Sequence, residues 1–154
     1  MEKKLIRVNL RLPVLKMGIG GLTIDPVEKA VGRPIADILR PRLVGEPREE
    51  KVGKKWSVVY PMGFADGDGA ALPLGPLGEV SFQGDGGLLR VAVPAQFGAQ
   101  VAEHIRADLV RGPEEGWSSS GKGRVQFLWV RPRPGLCVKQ SLNALGEISI
   151  EVVG

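Results

Sequence analysis

The alternation of apolar and polar residues predicts a β-strand near the start of the chain. Over residues 4–14 every second position is apolar, and the positions between them include Arg7, Asn9 and Arg11. A period of two is typical of a strand with one buried and one solvated face. We therefore predict a strand here whose solvated face is basic.

The same kind of pattern predicts further strands later in the chain. The last of them alternates as clearly as the first, with Glu147, Ser149 and Glu151 on its solvated face. The glycine-rich segment 84–87 predicts the turn of a hairpin. The further predicted strands lie at residues 56–60, 79–83, 88–93, 124–131, 136–142 and 147–153.

Apolar residues three and four positions apart predict one long helix over residues 95–111, ended by Gly112-Pro113. One or two short helices are predicted over residues 26–40, because Asp25 and Pro26 form a helix-start signal. Hairpin-type spacing without βαβ alternation then predicts an α+β fold, with a mainly antiparallel sheet of about six to seven strands. The predicted core includes Val8, Leu10, Phe97, Val101, Ile105, Phe127 and Ile150.

Length and composition predict how this fold is organised. The chain has 154 residues, of which 43% are hydrophobic, and this is typical of one domain spanning residues 1–154. Polar residues, glycine and proline predict exposed loops near residues 41–55, 61–78 and 112–123.

The location of the protein is predicted from the same sequence. No run of 18 apolar residues occurs, so we expect no transmembrane helix and no membrane partner. The absence of an apolar leader near Met1 predicts a cytoplasmic protein. With 12 prolines and few Asn, Cys and His residues, the composition is also typical of a thermophile.

The basic residues provide the leading hypothesis for function. Lys and Arg number 21 against 17 Asp and Glu, which gives a net charge of +4 and favours polyanionic partners. Basic grooves with aromatic side chains are typical of proteins that bind single-stranded nucleic acids. We therefore predict a non-enzymatic module that binds single-stranded DNA or RNA through a basic groove. The predicted groove residues are Arg7, Arg11, Arg40, Arg42, Lys54, Lys55, Trp56, Arg131 and Arg133.

An alternative hypothesis is a protein-interaction or self-assembling module, such as a structural or regulatory protein, including one of viral origin. Its partner would be another protein or a second copy of the chain. The first strand has a basic solvated face and the last strand an acidic one. If these strands are neighbours, their charges pair across the sheet, which favours a protein interface over a nucleic-acid interface.

A second alternative is a metal-assisted hydrolase built around Asp66 and Asp68. Two carboxylates two residues apart suit a hard cation such as Ca²⁺ or Mg²⁺. However, the twelfth position counted from Asp66 is Leu77, where a calcium-binding loop of the EF-hand type requires Glu. A metal site would therefore need further ligands from elsewhere, and no other cofactor is predicted.

Other candidates for chemistry are few, which favours a non-enzymatic function. His104 is the single histidine, and Asp108 one helical turn later could orient it as a base. Cys137 fits a buried apolar position better than a nucleophile. The glycine-rich segments 18–21 and 120–123 match no nucleotide-binding motif. No segment carries a signature specific to a known family.

Overall fold

The described part of the chain is built almost entirely from β-strands. The computed structural model describes residues 5–13, 33–73, 78–118, 121, 123–141 and 146–154. Within these ranges ten strands pair in two antiparallel sheets of five strands each. The strands are β1 (Ile6–Pro13), β2 (Arg48–Val52), β3 (Lys55–Phe64), β4 (Gly69–Pro73), β5 (Glu79–Asp85), β6 (Leu88–Pro94), β7 (Leu109–Trp117), β8 (Arg124–Val130), β9 (Cys137–Ser141) and β10 (Glu147–Val152).

The two sheets differ in how the chain visits them. Sheet A has the order β2-β3-β1-β10-β9, so it combines the first three strands with the last two. Sheet B has the order β4-β5-β6-β8-β7 and uses only the middle of the chain. Two short helices, α1 (Arg33–Leu39) and α2 (Gly98–His104), adjoin the short 3-10 turns Arg40–Arg42 and Ala95–Phe97.

One hydrophobic core joins the two sheets. It contains alternate residues of sheet A, such as Leu10 and Tyr60, and alternate residues of sheet B, such as Phe82 and Leu128, in one contiguous cluster. A shared core of this kind defines an antiparallel β-sandwich. Of the predicted core residues, Val8, Leu10, Val101, Ile105 and Ile150 are buried, whereas Phe97 and Phe127 are only partly buried.

The prediction of an α+β fold with one long helix at residues 95–111 is wrong. Helix α2 ends at His104, a turn follows in which Asp108 N donates to Ile105 O at 2.9 Å, and β7 begins at Leu109. The last three residues of the predicted helix, 109–111, are therefore the start of an edge strand paired with β8. Gly112 within it has a φ of 102°, which no helix allows.

The apolar spacing was misleading because Val101 and Ile105 belong to a real helical turn, whereas Leu109 packs against the core from a strand. The predicted short helices at residues 26–40 lie partly outside the described residues, and α1 occupies the remainder.

The number of strands was also underestimated, because three strands lie in segments that we predicted as exposed loops. Strand β2 lies in segment 41–55 and β4 in segment 61–78. Strand β7 begins within the end of the predicted helix and continues into segment 112–123. Strands β2, β4 and β7 are all sheet edges. Edge strands contact a neighbour on one side only and tolerate charged residues, glycine and proline, so they lack the apolar alternation that sequence reasoning requires.

Candidate functional site

The predicted basic groove is not assembled as a single surface. Arg7, Asn9 and Arg11 lie on the outer face of sheet A, and Arg11 pairs in register with Val59 of β3. Trp56 is three residues before Val59, so the alternation of side chains directs it to the opposite side of the strand. The structure therefore does not bring Trp56 together with the arginines of β1.

Four of the predicted groove residues are held by acidic side chains. Each of these arginines donates to a carboxylate at 3.0 Å or less, which reduces the positive charge that it presents to a polyanion. The pairs are Arg11 with Glu50, Arg40 with Asp37, Arg42 with Asp68, and Arg133 with Asp108.

The other predicted groove residues are dispersed over the surface. Arg7 is exposed near the start of β1, Lys54 lies in the turn between β2 and β3, and Arg131 directly follows β8. Within the described ranges, none of these three forms an ion pair. The side chain of Lys55 lies outside the described part of the structure.

The first and last strands are direct neighbours. Strands β1 and β10 pair antiparallel, with Asn9 opposite Glu151 and Arg11 opposite Ser149. The acidic outer face of β10 therefore adjoins the basic outer face of β1. The residues directly opposite each other do not pair charge with charge, and Arg11 is instead held by Glu50 of β2 at 3.0 Å. The strands are neighbours, as the sequence argument required, but the expected pairing of their charges is not formed.

Asp66 and Asp68 stabilise a turn between strands. Asp66 Oδ1 accepts a hydrogen bond from Gly86 N, and Asp68 Oδ2 accepts one from Ala65 N at 3.2 Å and also pairs with Arg42 at 2.7 Å. No group of three or more His, Cys, Asp or Glu side chains that could hold a metal ion occurs among the residues that the structure describes.

The predicted pairing of His104 with Asp108 is not formed. Asp108 is buried, and its carboxylate instead accepts two hydrogen bonds from the guanidinium of Arg133, at 2.6 and 3.0 Å. The pKa of Arg133 is raised by this hydrogen bond and by the charge of Asp108. Cys137 is half-buried, and burial raises the pKa of its thiol, so it is a poor nucleophile at neutral pH.

A different surface, the outer face of sheet B, combines aromatic and polar side chains. Two rows of residues cross all five strands in register. The first row is Gly69, Gln83, Arg90, Trp129 and Arg111, and the second is Ala71, Ser81, Ala92, Phe127 and Glu114. Small residues on β4, β5 and β6 therefore leave a trough beside the aromatic rings of β8.

Each large aromatic side chain at this face is paired with an arginine. The guanidinium carbon of Arg111 lies 4.3 Å from the centroid of Trp129, and that of Arg90 lies 5.0 Å from Phe127. At one end of β7, Arg124 lies 5.5 Å from the ring of Trp117. These distances are within the range of cation–π attraction, which holds the flat guanidinium groups against the rings.

Hydrogen bonds fix the orientation of these side chains. Trp129 Nε1 donates to Asp85 Oδ2 at 2.8 Å, and Arg90 donates to the side chain of Gln83. Arg111 donates twice to Glu114, at 2.7 and 3.0 Å, which raises the pKa of Arg111 and lowers that of Glu114. The face is therefore ordered before any partner arrives.

A cleft of about 360 Å³ lies on this face and is bordered by its most exposed aromatic residue. Trp117 is 62% exposed, the largest value among the exposed large hydrophobic residues of the described chain. Phe127 and Arg90 line the same cleft, and Gly69 and Ala71 lie on its opposite side. We define the sheet B surface as Arg90, Arg111, Trp117, Arg124, Phe127 and Trp129 with the trough beside them.

The sequence reading missed this surface for an identifiable reason. The sequence predicted a strand over residues 124–131 and assigned Phe127 to the core, so its aromatic side chains were not predicted as part of a surface. Strand β8 does lie inside the sheet, between β6 and β7. The pairing of β8 with β6 and β7 brings Arg90 and Arg111 beside the rings. This pairing shows that one apolar face of β8 belongs to the outer face of sheet B, which the sequence of β8 alone does not reveal.

Comparison with other proteins identifies no relative, since no protein-family model, curated protein or solved structure matches this chain. The helices within the described ranges are too short and too polar for any of them to cross a membrane.

Proposed function

We propose that this protein is a non-enzymatic, self-assembling interaction module that binds a second copy of itself through the sheet B surface. The observation that carries the proposal is that two arginine–aromatic pairs, Arg111 with Trp129 and Arg90 with Phe127, lie on one sheet face. The exposed Trp117, which contacts Arg124, borders the cleft on that face. Tryptophan, phenylalanine and arginine are enriched at the centres of protein interfaces, where lysine is depleted. Tryptophan and arginine are also the residues whose truncation most often costs binding energy.

The distribution of charge favours a second copy as the partner. The sheet B surface carries Arg90, Arg111 and Arg124, and acidic side chains lie on or next to it, including Glu114 at the surface and Glu115 beside Arg124. A twofold interface brings the same patch of both copies together, so it requires a patch that contains both signs of charge. A strongly basic patch would instead favour a polyanion.

The size of the face is sufficient for a specific dimer. Five strands about 4.8 Å apart and about seven residues long give a sheet face of roughly 24 Å by 24 Å, or about 600 Å² before the relief of the side chains is counted. The smallest specific interfaces bury about 1,200 Å² in total, or about 600 Å² per partner. The whole outer face, rather than a corner of it, would therefore take part.

Light scattering after size exclusion, at protein concentrations differing about 100-fold, tests the proposal. We expect the mass to rise toward that of a dimer at the higher concentration. Trp117→Ala should weaken the dimer by about tenfold or more, because truncated hot-spot residues cost more than about 2 kcal/mol. Trp56→Ala is the matched control, since Trp56 is 51% exposed and lies in sheet A.

The outcomes of this experiment are distinct. A monomer at every concentration contradicts self-assembly. A dimer that Trp56→Ala weakens as strongly as Trp117→Ala contradicts the assignment to sheet B. Raising the salt concentration should change the dimer mass little, because the surface carries both signs of charge and its arginines are stacked on rings.

Binding of single-stranded nucleic acid is a second candidate function, and the outer face of sheet A is the surface that favours it. Arg48, Arg11 and Lys139 fall in one register row across the sheet, with Val59 and Ser149 between them. These three basic residues also line one cleft of about 280 Å³ on this face.

Fluorescence anisotropy with labelled single-stranded and duplex oligonucleotides tests this second candidate. At about 50 mM salt the electrostatic attraction is strong, so binding should be tight and should weaken as salt is added. Lys139→Gln should reduce the salt dependence by about 0.7 units for a single strand. The absence of binding to any oligonucleotide at low salt contradicts this second candidate function.

We also propose a cytoplasmic location for the protein under either candidate function, as the sequence predicts.

A further inference from the structure

We propose that a second site, at one end of the sandwich, binds a small apolar molecule that carries a carboxylate. A cleft of about 630 Å³ opens there between the start of β1, the end of β3 and the turn that follows β8. Clefts of about 300–1,000 Å³ are typical of small-molecule sites. This end cleft, as we call it, is separate from the sheet B surface.

The lining of the end cleft is mainly apolar. Leu5 and Val153 contribute hydrocarbon side chains, and Pro132 and Pro134 contribute rigid rings. Phe64 is fully buried, whereas Leu5 is 37% exposed. An apolar ligand would cover such lining groups, and the removal of their apolar surface from water favours binding.

The backbone around the end cleft is well fixed. Val153 N donates to Arg7 O at 2.9 Å, which ties the end of β10 to β1. Gly135 N donates to Val152 O at 3.0 Å, and Val152 N donates to Leu136 O at 2.9 Å. These bonds hold the proline-containing turn against the sheet, so the cleft exists before a ligand binds.

The end cleft contains one cation that an anionic ligand can reach. Arg7 and Asp66 are the two charged residues that line it. The carboxylate of Asp66 accepts the hydrogen bond from Gly86 N and so caps the neighbouring turn. Arg7 is exposed and forms no ion pair with any described residue, so its guanidinium is the charge available to a ligand. An apolar carboxylate combines a body that fits the lining with an anionic end that fits Arg7.

Octanoate and 1-octanol form a matched pair of probes, because they share an eight-carbon chain and differ in the charged end. Amide chemical shifts of the labelled protein, followed by NMR during titration, locate the site. We expect octanoate to shift the amides of Ala65, Gly87 and Val153. We expect 1-octanol to shift the same amides with weaker affinity, because it cannot pair with Arg7.

Two arginine variants test the role of the charge. Arg7→Gln should weaken octanoate binding by about tenfold and leave 1-octanol binding unchanged, since a hydrogen bond to a charged group is worth at least about 1.5 kcal/mol. Arg131→Gln removes the same charge from an exposed arginine that does not line the cleft, and it should have little effect.

Three results would overturn the inference. The first is an absence of shifts at millimolar octanoate, and the second is a set of shifts centred on sheet B. The third is equal weakening by Arg7→Gln and Arg131→Gln, which would mean that octanoate senses only the net charge. The spectra of both variants also report directly whether each protein is folded.

Discussion

The substitution Gly84→Ala should destabilise the protein markedly, although the residue added is small and the backbone there is extended. A Cβ atom at Gly84 would lie 2.5 Å from the carbonyl oxygen of Ala65. A carbon and a carbonyl oxygen in contact are normally about 3.3 Å apart, so the two backbone segments must separate by about 0.8 Å.

This separation would disturb the hydrogen bonds between the two segments. Gly67 N donates to Gly84 O at 2.8 Å, and Gly84 N donates to Asp68 O at 2.9 Å. Weakening these two bonds and overpacking the contact should together lower the free energy of unfolding by about 2–4 kcal/mol.

Gly63→Ala is a matched control, because a Cβ atom added at Gly63 would also be in close contact with its nearest atom, at 3.0 Å. That atom is Cγ1 of Val44, and the next is Cδ1 of Leu5 at 3.3 Å. Both of these side chains are partly exposed and can turn into solvent, so the cost should be below about 1 kcal/mol. Replacing glycine also restricts the unfolded chain equally in both variants.

Urea unfolding followed by circular dichroism measures both effects. We expect the midpoint to fall for Gly84→Ala with an unchanged slope, because the surface exposed on unfolding remains the same. If Gly84→Ala unfolds within about 0.5 kcal/mol of the parent protein, or at the same midpoint as Gly63→Ala, the reasoning from backbone contact is refuted.

Three further predictions concern single buried groups. Ile105→Ala should lower the free energy of unfolding by about 2–5 kcal/mol, since Ile105 is 3% exposed and its loss leaves a cavity; urea unfolding measures this, and a loss below about 1 kcal/mol contradicts it. Burial raises the pKa of Tyr60, so absorbance at 295 nm should show no ionisation of this sole tyrosine until the protein unfolds. Because the unfolded phenol ionises near pH 10, the contribution of Tyr60 to stability should be constant below about pH 10 and fall above it. A reversible ionisation near pH 10 in the folded protein would refute this. The thiol of Cys137 should react with a disulfide reagent more slowly than free cysteine at pH 8, and faster as the pH rises, because burial raises its pKa; a rate equal to that of free cysteine would contradict this.

The sequence predicted individual strands better than it predicted the fold. The strands containing Leu10 and Ile150 were found because each has one buried and one solvated face, which produces a clear period of two. Residues 109–111 were assigned to a helix because Leu109 continues the spacing of Val101 and Ile105, and the rest of β7 was assigned to a loop. That spacing cannot reveal that the chain changes direction at Asp108, where the ion pair with Arg133 comes from a distant segment.

The candidate surface was hidden from the sequence for a related reason. Arg90, Arg111 and Trp129 lie far apart in the chain and become neighbours only through the register of β6, β7 and β8. For the opposite sheet, the sequence argument was that the first and last strands, if neighbours, would pair their charges. The strands are neighbours, but Asn9 lies opposite Glu151 and Arg11 opposite Ser149, so no charge directly faces a charge.

Cross-saturation NMR tests the central claim, that the sheet B surface binds a second copy, most directly. Deuterated, ¹⁵N-labelled protein is mixed with unlabelled protein at high concentration, and the aliphatic protons of the unlabelled copy are saturated. The account predicts that signals weaken at Ala71, Trp117 and Phe127 and at the indole N–H of Trp129. Signals of the outer face of sheet A, such as Asn9, should remain unchanged. Weakening confined to sheet A, or no weakening at any concentration, would contradict it.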